Sequence, residues 1–164
     1  MRRNDNRMES KRISLRGVHA LSMDAKGRLA VPVRYRAVLA DWCDSILVAT
    51  IDTSERCLLI YPLPEWEIIQ EKIEALPSFN TETRKIQRLL IGHATDLEID
   101  GNGRVLLPAA LREYASLDKK LVLIGQGKKF ELWNEETWNA RRDSWLDGNA
   151  DSDSLPEGLM QLSL

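Results

Sequence analysis

The chain contains one short motif twice, at a constant offset of 76 positions, and this repeat constrains its fold more than any other feature. The first copy reads Asp24-Ala-Lys-Gly-Arg-Leu-Ala-Val-Pro and the second reads Asp100-Gly-Asn-Gly-Arg-Val-Leu-Leu-Pro. Five identities recur, as the pairs Asp24 and Asp100, Gly27 and Gly103, Arg28 and Arg104, Pro32 and Pro108, and Arg36 and Arg112. Repetition at a fixed offset is typical of a duplicated structural unit. We therefore expect two copies of one unit, folded together as a pseudo-dimer within a single chain.

Each copy of the motif predicts a tight turn followed by a strand and a short helix. An Asp side chain accepts hydrogen bonds from backbone amides just ahead of it, and Gly adopts the positive φ that tight turns need. The apolar residues after the Arg predict a strand, which Pro32 or Pro108 should end because proline cannot donate to a ladder. The short helices that follow should carry Tyr35, Arg36, Leu111 and Arg112. The turns form tips that are expected to project Lys26, Arg28 and Arg104.

Further strand signals complete the same unit in each copy. In the first copy they cover residues 15–21, 45–51 and 57–61, and in the second they cover 121–124 and 129–133 around a tight loop at 125–127. A few short strands offer too little sheet to be stable alone, so each copy should supply the face that the other lacks. The predicted fold is α+β and mainly β, with the two units forming one intrachain pseudo-dimeric barrel flanked by helices.

Two helices are predicted between the copies and one after the second copy. The first lies between Pro64 and Pro77, and its apolar face carries Trp66, Ile69, Ile73 and Leu76. The second is capped by Asn80 or Thr81 and ends at Gly92, and its inward residues should be Ile86, Leu89 and Leu90. The third follows Asn134 and contains Trp138 and Trp145. The expected divisions are a disordered basic extension over 1–14, a first unit over 15–62, linking helices over 63–93, a second unit over 94–134, and a C-terminal helix with an acidic tail over 135–164.

Charge is distributed unevenly along the chain, although the formal net charge is only -2. Residues 1–36 contain ten Lys or Arg and three Asp or Glu, a net charge of +7, and the remaining residues carry -9. This asymmetry places a basic N-terminal part on an acidic body, which favours an anionic partner such as nucleic acid. For residues 1–14 alone, a solvated charged tail explains the charge equally well. The acidic segment after Arg142 is interpreted as a solubilising tail, whose terminal apolar residues could dock on a neighbouring subunit.

Several other classes of protein are disfavoured. No apolar run approaches the roughly 20 residues that span a bilayer, and the charged N-terminal segment does not resemble a signal peptide. Cys43 and Cys57 lack metal-ligand spacing, so ordinary buried thiols in a reducing cytoplasm are expected. Asp24 and Asp100 could form an aspartic-hydrolase pair, but turn capping explains both better. His19 and His93 have no nucleophile motif beside them, so we expect no enzyme, cofactor, metal or small-molecule substrate. A scaffold or antitoxin-like module that binds a protein partner remains an alternative.

The ordered set of segments resembles the MraZ family of bacterial transcriptional regulators. The matching segments are Leu15-Arg-Gly, Asp24-Ala-Lys-Gly-Arg-Leu, Leu59-Ile-Tyr-Pro-Leu-Pro-Glu-Trp, Arg88-Leu-Leu-Ile-Gly-His-Ala, the second Asp-x-x-Gly-Arg at Asp100, and Lys129-Phe-Glu-Leu-Trp. The resemblance implies two tandem SpoVT-AbrB-type units with swapped hairpins. It also implies a homo-oligomeric ring that is cytoplasmic and associated with the nucleoid. This ring is expected to bind short direct repeats of double-stranded DNA. The repeats would lie ahead of a division and cell-wall gene cluster that includes the protein's own gene.

The expected DNA-binding residues are basic side chains in or near the repeated motif. Arg28 is the first candidate, and the others are Lys26, Arg34, Arg104 and Arg16. Lys and Arg on the turns should neutralise phosphates, and one or two Arg can reach guanine edges in the major groove. The second copy departs from the first because Asn102 stands where Lys26 would recur. Arg36 and Arg112 recur so regularly that a structural ion pair with an Asp explains them equally well.

Overall fold

The same order of elements occurs in both halves of the computed structural model, which describes residues 14–148 and 156–163. The first half contains β1 (Leu15–Ser22), β2 (Arg28–Ala30), α1 (Val33–Cys43), β3 (Ile46–Ile51) and β4 (Leu58–Pro62). The second contains β5 (Thr95–Glu98), β6 (Arg104–Leu106), α4 (Ala109–Tyr114), β7 (Lys120–Gly127) and β8 (Phe130–Asn134). Between them lie α2 (Leu63–Glu74), α3 (Thr81–Ile86) and a π-helical turn (Gln87–Ile91), and α5 (Glu135–Leu146) follows β8. A 3₁₀ turn covers Glu157–Gln161.

The strands of the two copies are interleaved in one six-stranded antiparallel sheet of order β1-β7-β8-β4-β3-β5. The first strand of each copy pairs with the third strand of the other, β1 with β7 and β5 with β3. Strands β4 and β8 pair at the centre, and the short strands β2 and β6 form a separate two-stranded ribbon. Each copy therefore completes the sheet of its twin, and the result is a mixed α and β fold centred on sheet.

The prediction of a barrel is wrong, because the sheet is not closed. Strands β1 and β5 are the two edges of the large sheet, and no ladder of strand pairs joins them among the described residues. The short strands β2 and β6 pair with each other, and beyond that pairing a single bridge joins Met23 to Leu29. Pro32 and Pro108 stop these strands within a few residues, so they are too short to close the sheet into a ring.

The apolar positions of the repeated motif lie in the core. Leu29, Val31, Val105 and Leu107 are each at most 3% exposed. They pack in one cluster with the inward residues of the large sheet and of the short helices, including Leu39, Leu58, Leu111, Leu121 and Leu132. Pro32 and Pro108 are the N-caps of α1 and α4, as predicted. The motif thus supplies a surface turn and, within a few residues, the centre of the fold.

The opposite face of the sheet carries a second, smaller cluster beneath α5. Trp133 is buried together with Cys57 and Val122, and its ring meets Trp138 and Trp145 edge-on at centroid distances of 5.6 and 6.1 Å. Asn134 caps α5 by accepting a bond from the amide of Thr137 at 3.2 Å, which confirms the predicted helix start. Both cysteines are buried and unpaired, as expected, and burial raises the pKa of each thiol.

Two local predictions were inexact. The tight loop at 125–127 is part of β7, because pairing with β1 extends that strand to Gly127. Ile86 and Leu89 are 38% and 39% exposed, so they do not pack inward as predicted. The inward positions of this segment are Thr83, Gln87 and Leu90, because its last turn is π-helical and changes the residue spacing. Asn80 is the N-cap of α3, as expected.

Residues 1–13, 149–155 and 164 lie outside the described part of the chain. The expectation of disorder over residues 1–14 and most of the expected acidic tail fall on them. Within the described ranges no helix has the length and apolarity needed to cross a membrane.

Candidate nucleic-acid interface

The first Asp-x-x-Gly-Arg segment forms the tight turn that its residues predict. Oδ1 of Asp24 accepts hydrogen bonds from the amides of Lys26 and Arg28, both at 2.9 Å. Gly27 adopts a φ of 90°, which residues with a side chain rarely do. The amide of Arg28 is the main cause that lowers the pKa of the Asp24 carboxyl, so the side chain remains an anion that stabilises this turn.

The second copy repeats this turn almost atom for atom. Oδ1 of Asp100 accepts from the amides of Asn102 and Arg104 at 2.8 and 3.0 Å, and Gly103 has a φ of 77°. The amide of Arg104 is the first cause that lowers the pKa of Asp100. The two tips therefore share one backbone geometry and differ in the side chains they present.

Each turn is held in place by the other copy. The amide of Val31 donates to the carbonyl of Gly103 at 2.8 Å, and the amide of Leu107 donates to the carbonyl of Gly27 at 2.9 Å. The ribbon of β2 and β6 lies between these bonds, with Arg28 opposite Leu106 and Ala30 opposite Arg104. Because the ribbon is antiparallel, the two tips lie at its opposite ends.

Arg36 and Arg112 stabilise the turns and are not held by aspartates. Nε of Arg36 donates to the carbonyl of Val31 at 2.8 Å, and Nε of Arg112 donates to that of Leu107 at 3.1 Å. Each guanidinium lies over the turn glycine of the other copy, Arg36 on Gly103 and Arg112 on Gly27. The alternative of an ion pair with Asp is wrong, because neither arginine has an acidic partner in the described part of the chain.

The ribbon presents Arg28 and Arg104 on one exposed face. Alternation along β2 and β6 buries Leu29 and Val105 and turns their neighbours outward. Arg28 and Arg104 are diagonal neighbours across the ribbon, a relationship that places residues about 7–8 Å apart. Leu106, which is 57% exposed, lies on the same face.

Asp24 orients Arg28, and Asp100 has no equivalent bond to Arg104. Nε of Arg28 donates to Oδ2 of Asp24 at 3.0 Å, and both side chains are 39% exposed. Within the described ranges the terminal amino groups of Arg28 make no hydrogen bond. Among the residues that the structure describes, Asp100 bonds only to backbone amides, so the Arg104 side chain has more conformational freedom.

Tyr35 contacts the backbone of Arg16 and the guanidinium of Arg34. Its hydroxyl donates to the carbonyl of Arg16 and lies 2.8 Å from Nε2 of His19. The guanidinium of Arg34 is 5.0 Å from the centroid of the Tyr35 ring. The structure therefore brings Arg28 and Arg104 together on the ribbon, with Lys26 at the apex of the first turn, whereas Tyr35 touches the backbone but not the side chain of Arg16. The contact between His19 and Tyr35 was not predicted. The sequence contains a signal for it, because the equivalents of His19 and Tyr35 at the offset of 76 are Thr95 and Leu111, and the repeat is not kept at either position.

The predicted DNA-binding side chains are concentrated in the first copy. At the offset of 76, the equivalents of Arg16, Lys26 and Arg34 are Gly92, Asn102 and Ala110, so among the predicted residues of the first copy only Arg28 has a basic equivalent. The backbone is duplicated while the charge is not, so the two tips are electrostatically unequal.

One group of side chains has the composition of a metal site. Asp52, Cys57 and Glu131 place their ligand atoms within 4.8 Å of one another. Each of these atoms has a protein partner, because the Cys57 thiol donates to Asp52 at 3.5 Å and Glu131 accepts from the Trp133 indole at 2.9 Å. Burial raises the pKa of the Cys57 thiol, which disfavours the thiolate that a metal requires. We assign the group a structural role.

Comparison with known proteins places this architecture in a family. The family model described as "MraZ protein, putative antitoxin-like" matches residues 15–89 and 90–146. A protein of Marinomonas sp. (strain MWYL1) is 54% identical over 149 residues, which cover 91% of this chain and 99% of the relative. One from Legionella pneumophila (strain Corby) is 55% identical over 150 residues, with the same two coverages. One from Saccharophagus degradans is 58% identical over 148 residues, covering 90% of this chain and 98% of its own. All three relatives are named "Transcriptional regulator MraZ". With two family-model matches along its length and relatives this similar, the chain belongs to the MraZ family.

Proposed function

We propose that this protein is a sequence-specific DNA-binding regulator of transcription that reads double-stranded DNA with the ribbon of β2 and β6. The observation that carries the proposal is the exposed face on which Arg28 and Arg104 are diagonal neighbours. A two-stranded ribbon is narrow enough to enter the major groove of B-DNA. The names of the relatives support a role in transcription.

The proposed roles of the basic residues follow from how firmly each is held. Arg28 is oriented by Asp24 and has its terminal amino groups free, which suits a bidentate contact to guanine O6 and N7. Lys26, Arg34 and Arg16 are exposed and suit phosphate contacts that set the register. Arg104 has fewer restraints and is assigned a phosphate or a second base contact. No catalytic reaction, cofactor or small-molecule substrate forms part of the proposal.

A homo-oligomeric ring is the proposed working state. A single ribbon carries few positive charges, and the chain as a whole is acidic. Binding at physiological salt therefore needs several ribbons at once. The helical segment between the copies exposes the apolar side chains Ile68, Leu76, Phe79, Ile86 and Leu89, which suit subunit contacts. A ring places identical ribbons at fixed spacing, and this geometry matches short direct repeats. We place these repeats upstream of the division and cell-wall gene cluster that includes the protein's own gene, and the protein itself on the nucleoid in the cytoplasm.

The alternative function is that of a protein-binding module without DNA. It is favoured by the antitoxin-like description of the family model. Incubation of the purified protein with sheared DNA of the organism, followed by sequencing of the retained fragments, separates the two functions. The DNA-binding proposal expects enrichment of a few fragments that share a short directly repeated sequence, and Arg28→Ala should abolish it. Retention of no fragments above a bead control would overturn the proposal and favour the protein-binding module.

A further inference from the structure

A groove lined by carboxylates runs between α2 and the edge strand β5. Its first part is a recess of about 360 Å³ with Leu63 and Trp66 in its wall and Glu67, Glu71 and Glu74 along α2. Its second part is a recess of about 590 Å³ beside β5 whose lining includes Glu98 and the basic residues Lys26 and Arg112. Asp96 lines both recesses, so they adjoin. We call the surface of Glu67, Glu71, Glu74, Asp96 and Glu98 the acidic groove.

The carboxylates of the acidic groove outnumber its cations, because Lys26 and Arg112 are its only basic lining residues in the described part of the chain. None of its five carboxylates forms an ion pair there, and Glu74 accepts one bond from the neutral Gln70 at 2.9 Å. Asp96 and Glu98 are exposed and alternate with the buried Leu97, so their side chains lie on one face of β5. A surface of this charge repels DNA phosphates and attracts a cationic ligand.

The acidic groove is also bordered by a strand with a free edge. β5 is a terminal strand of the large sheet and pairs with β3 on one side. Such edges add an extended peptide as a further strand, with main-chain bonds for affinity and side-chain contacts for specificity. The ligand that fits both features is an extended peptide of net positive charge.

This chain contains such a peptide outside the described residues. Residues 1–13 hold five Lys or Arg and two Asp or Glu, a net charge of +3. They precede the part that matches the family model, which begins at residue 15. Thirteen extended residues reach about 45 Å, whereas six strands span about 24 Å from β1 at one edge to β5 at the other. We propose that residues 1–13 of this chain dock in the acidic groove as an extended peptide along β5.

The test of this docking contains no DNA, so its outcome does not depend on the DNA-binding proposal. In the full chain, freed of nucleic acid, Asn6→Cys carries a benzophenone photocrosslinker, since both native cysteines are buried. After irradiation, peptide mass spectrometry should find crosslinks concentrated on α2 and β5. Mixing isotopically labelled and unlabelled protein shows whether the docked segment comes from the same subunit or a neighbouring one.

Two sets of variants decide the outcome. Glu67→Gln, Glu71→Gln and Asp96→Asn together should lower the crosslink yield on α2 and β5 by about fivefold. The matched control Glu113→Gln, Asp118→Asn and Glu136→Gln removes the same charge from exposed positions elsewhere and should leave the yield unchanged. Arg2→Gln, Arg3→Gln and Arg7→Gln should reproduce the loss without altering the folded part. Crosslinks spread over the surface, or equal yields in the acidic-groove and control variants, would overturn the proposal.

Discussion

The guanidinium of Arg36 lies over Gly103, the turn glycine of the other copy, closer than a Cβ atom on that glycine would allow. Arg112 is placed in the same way over Gly27, where an added Cβ would lie 2.9 Å from its Cζ. Each arginine also donates a hydrogen bond from Nε to a carbonyl of its own copy, Arg36 to Val31 and Arg112 to Leu107. Each copy therefore contributes an arginine that packs against the turn of the other.

The first prediction concerns these glycines. Gly103→Ala should lower the free energy of unfolding by about 2–4 kcal/mol, because it combines a strained positive φ with displacement of Arg36. Gly127→Ala has a φ of 88° but open space around its Cβ, so it should cost only the backbone strain, about 1–2 kcal/mol. Gly101→Ala, with open space and no positive φ, should change stability by less than about 0.5 kcal/mol. Denaturant midpoints rank the variants, and equal losses at Gly103 and Gly127 would contradict the role of Arg36.

The second prediction concerns the proposed role of Arg28 in DNA binding. Arg28→Ala should weaken binding to an isolated target fragment by about tenfold or more, since one bidentate base contact is worth about 1–3 kcal/mol. It should cost at most about 1 kcal/mol of stability, because an exposed ion pair such as Arg28–Asp24 contributes little. Lys72→Ala, at the end of α2, is the binding control and should change affinity less than about twofold. Fluorescence anisotropy measures both, and equal affinities would refute the assignment of Arg28.

The third prediction is an acid sensitivity that arises at the two turns. Backbone amides hold the pKa values of Asp24 and Asp100 below the ordinary value of 3.8. A carboxyl with a lowered folded pKa stabilises the fold above its unfolded pKa, and this contribution is lost as pH falls through the folded pKa. Asp24→Asn with Asp100→Asn should therefore flatten the decline in stability below about pH 4. Denaturant midpoints between pH 6 and pH 2.5 test this, with Glu113→Gln and Glu136→Gln as the charge control. An unchanged slope in the aspartate variant would show that the turns do not contribute.

The fourth prediction concerns the independence of the copies. Residues 15–80 expressed alone should be unfolded or should dimerise with themselves, because β1 would lack β7 and β3 would lack β5. Size-exclusion chromatography with circular dichroism distinguishes these states. A folded, monomeric fragment would show that the interleaved pairing is not required.

The fifth prediction concerns assembly. Light scattering at micromolar concentration should give a mass several times the 18.7 kDa of one chain. Ile86→Ser with Leu89→Ser should lower that mass, whereas Val33→Ser, which is 74% exposed on α1, should not. A monomeric mass for the unaltered protein would remove the ring, and with it the expected preference for repeated over single sites.

Local features of the fold were predictable from the sequence because they depend on neighbouring residues. Asp24 caps its turn through amides two and four residues away, and Gly27 and Pro32 act through their own backbone angles. The strands and the N-caps Asn80 and Asn134 were predictable for the same reason. The duplication was visible directly as a repeated motif. The resemblance to the MraZ family rested on these local segments and was confirmed by the comparisons.

Only the tertiary structure decided which repeated arginine is exposed and which is structural. Arg28 and Arg36 both recur at the same offset, and their sequence surroundings do not distinguish them. Their difference arises because Arg36 meets a glycine 67 positions away on the other copy, whereas Arg28 bonds to Asp24 within its own turn. The open edges of the sheet and the exposure of Ile86 and Leu89 depended likewise on distant pairing and on a π-helical turn. Contacts between residues far apart in sequence are set by the whole packed chain, so local patterns that specify each turn cannot specify which surfaces those turns bury or leave free.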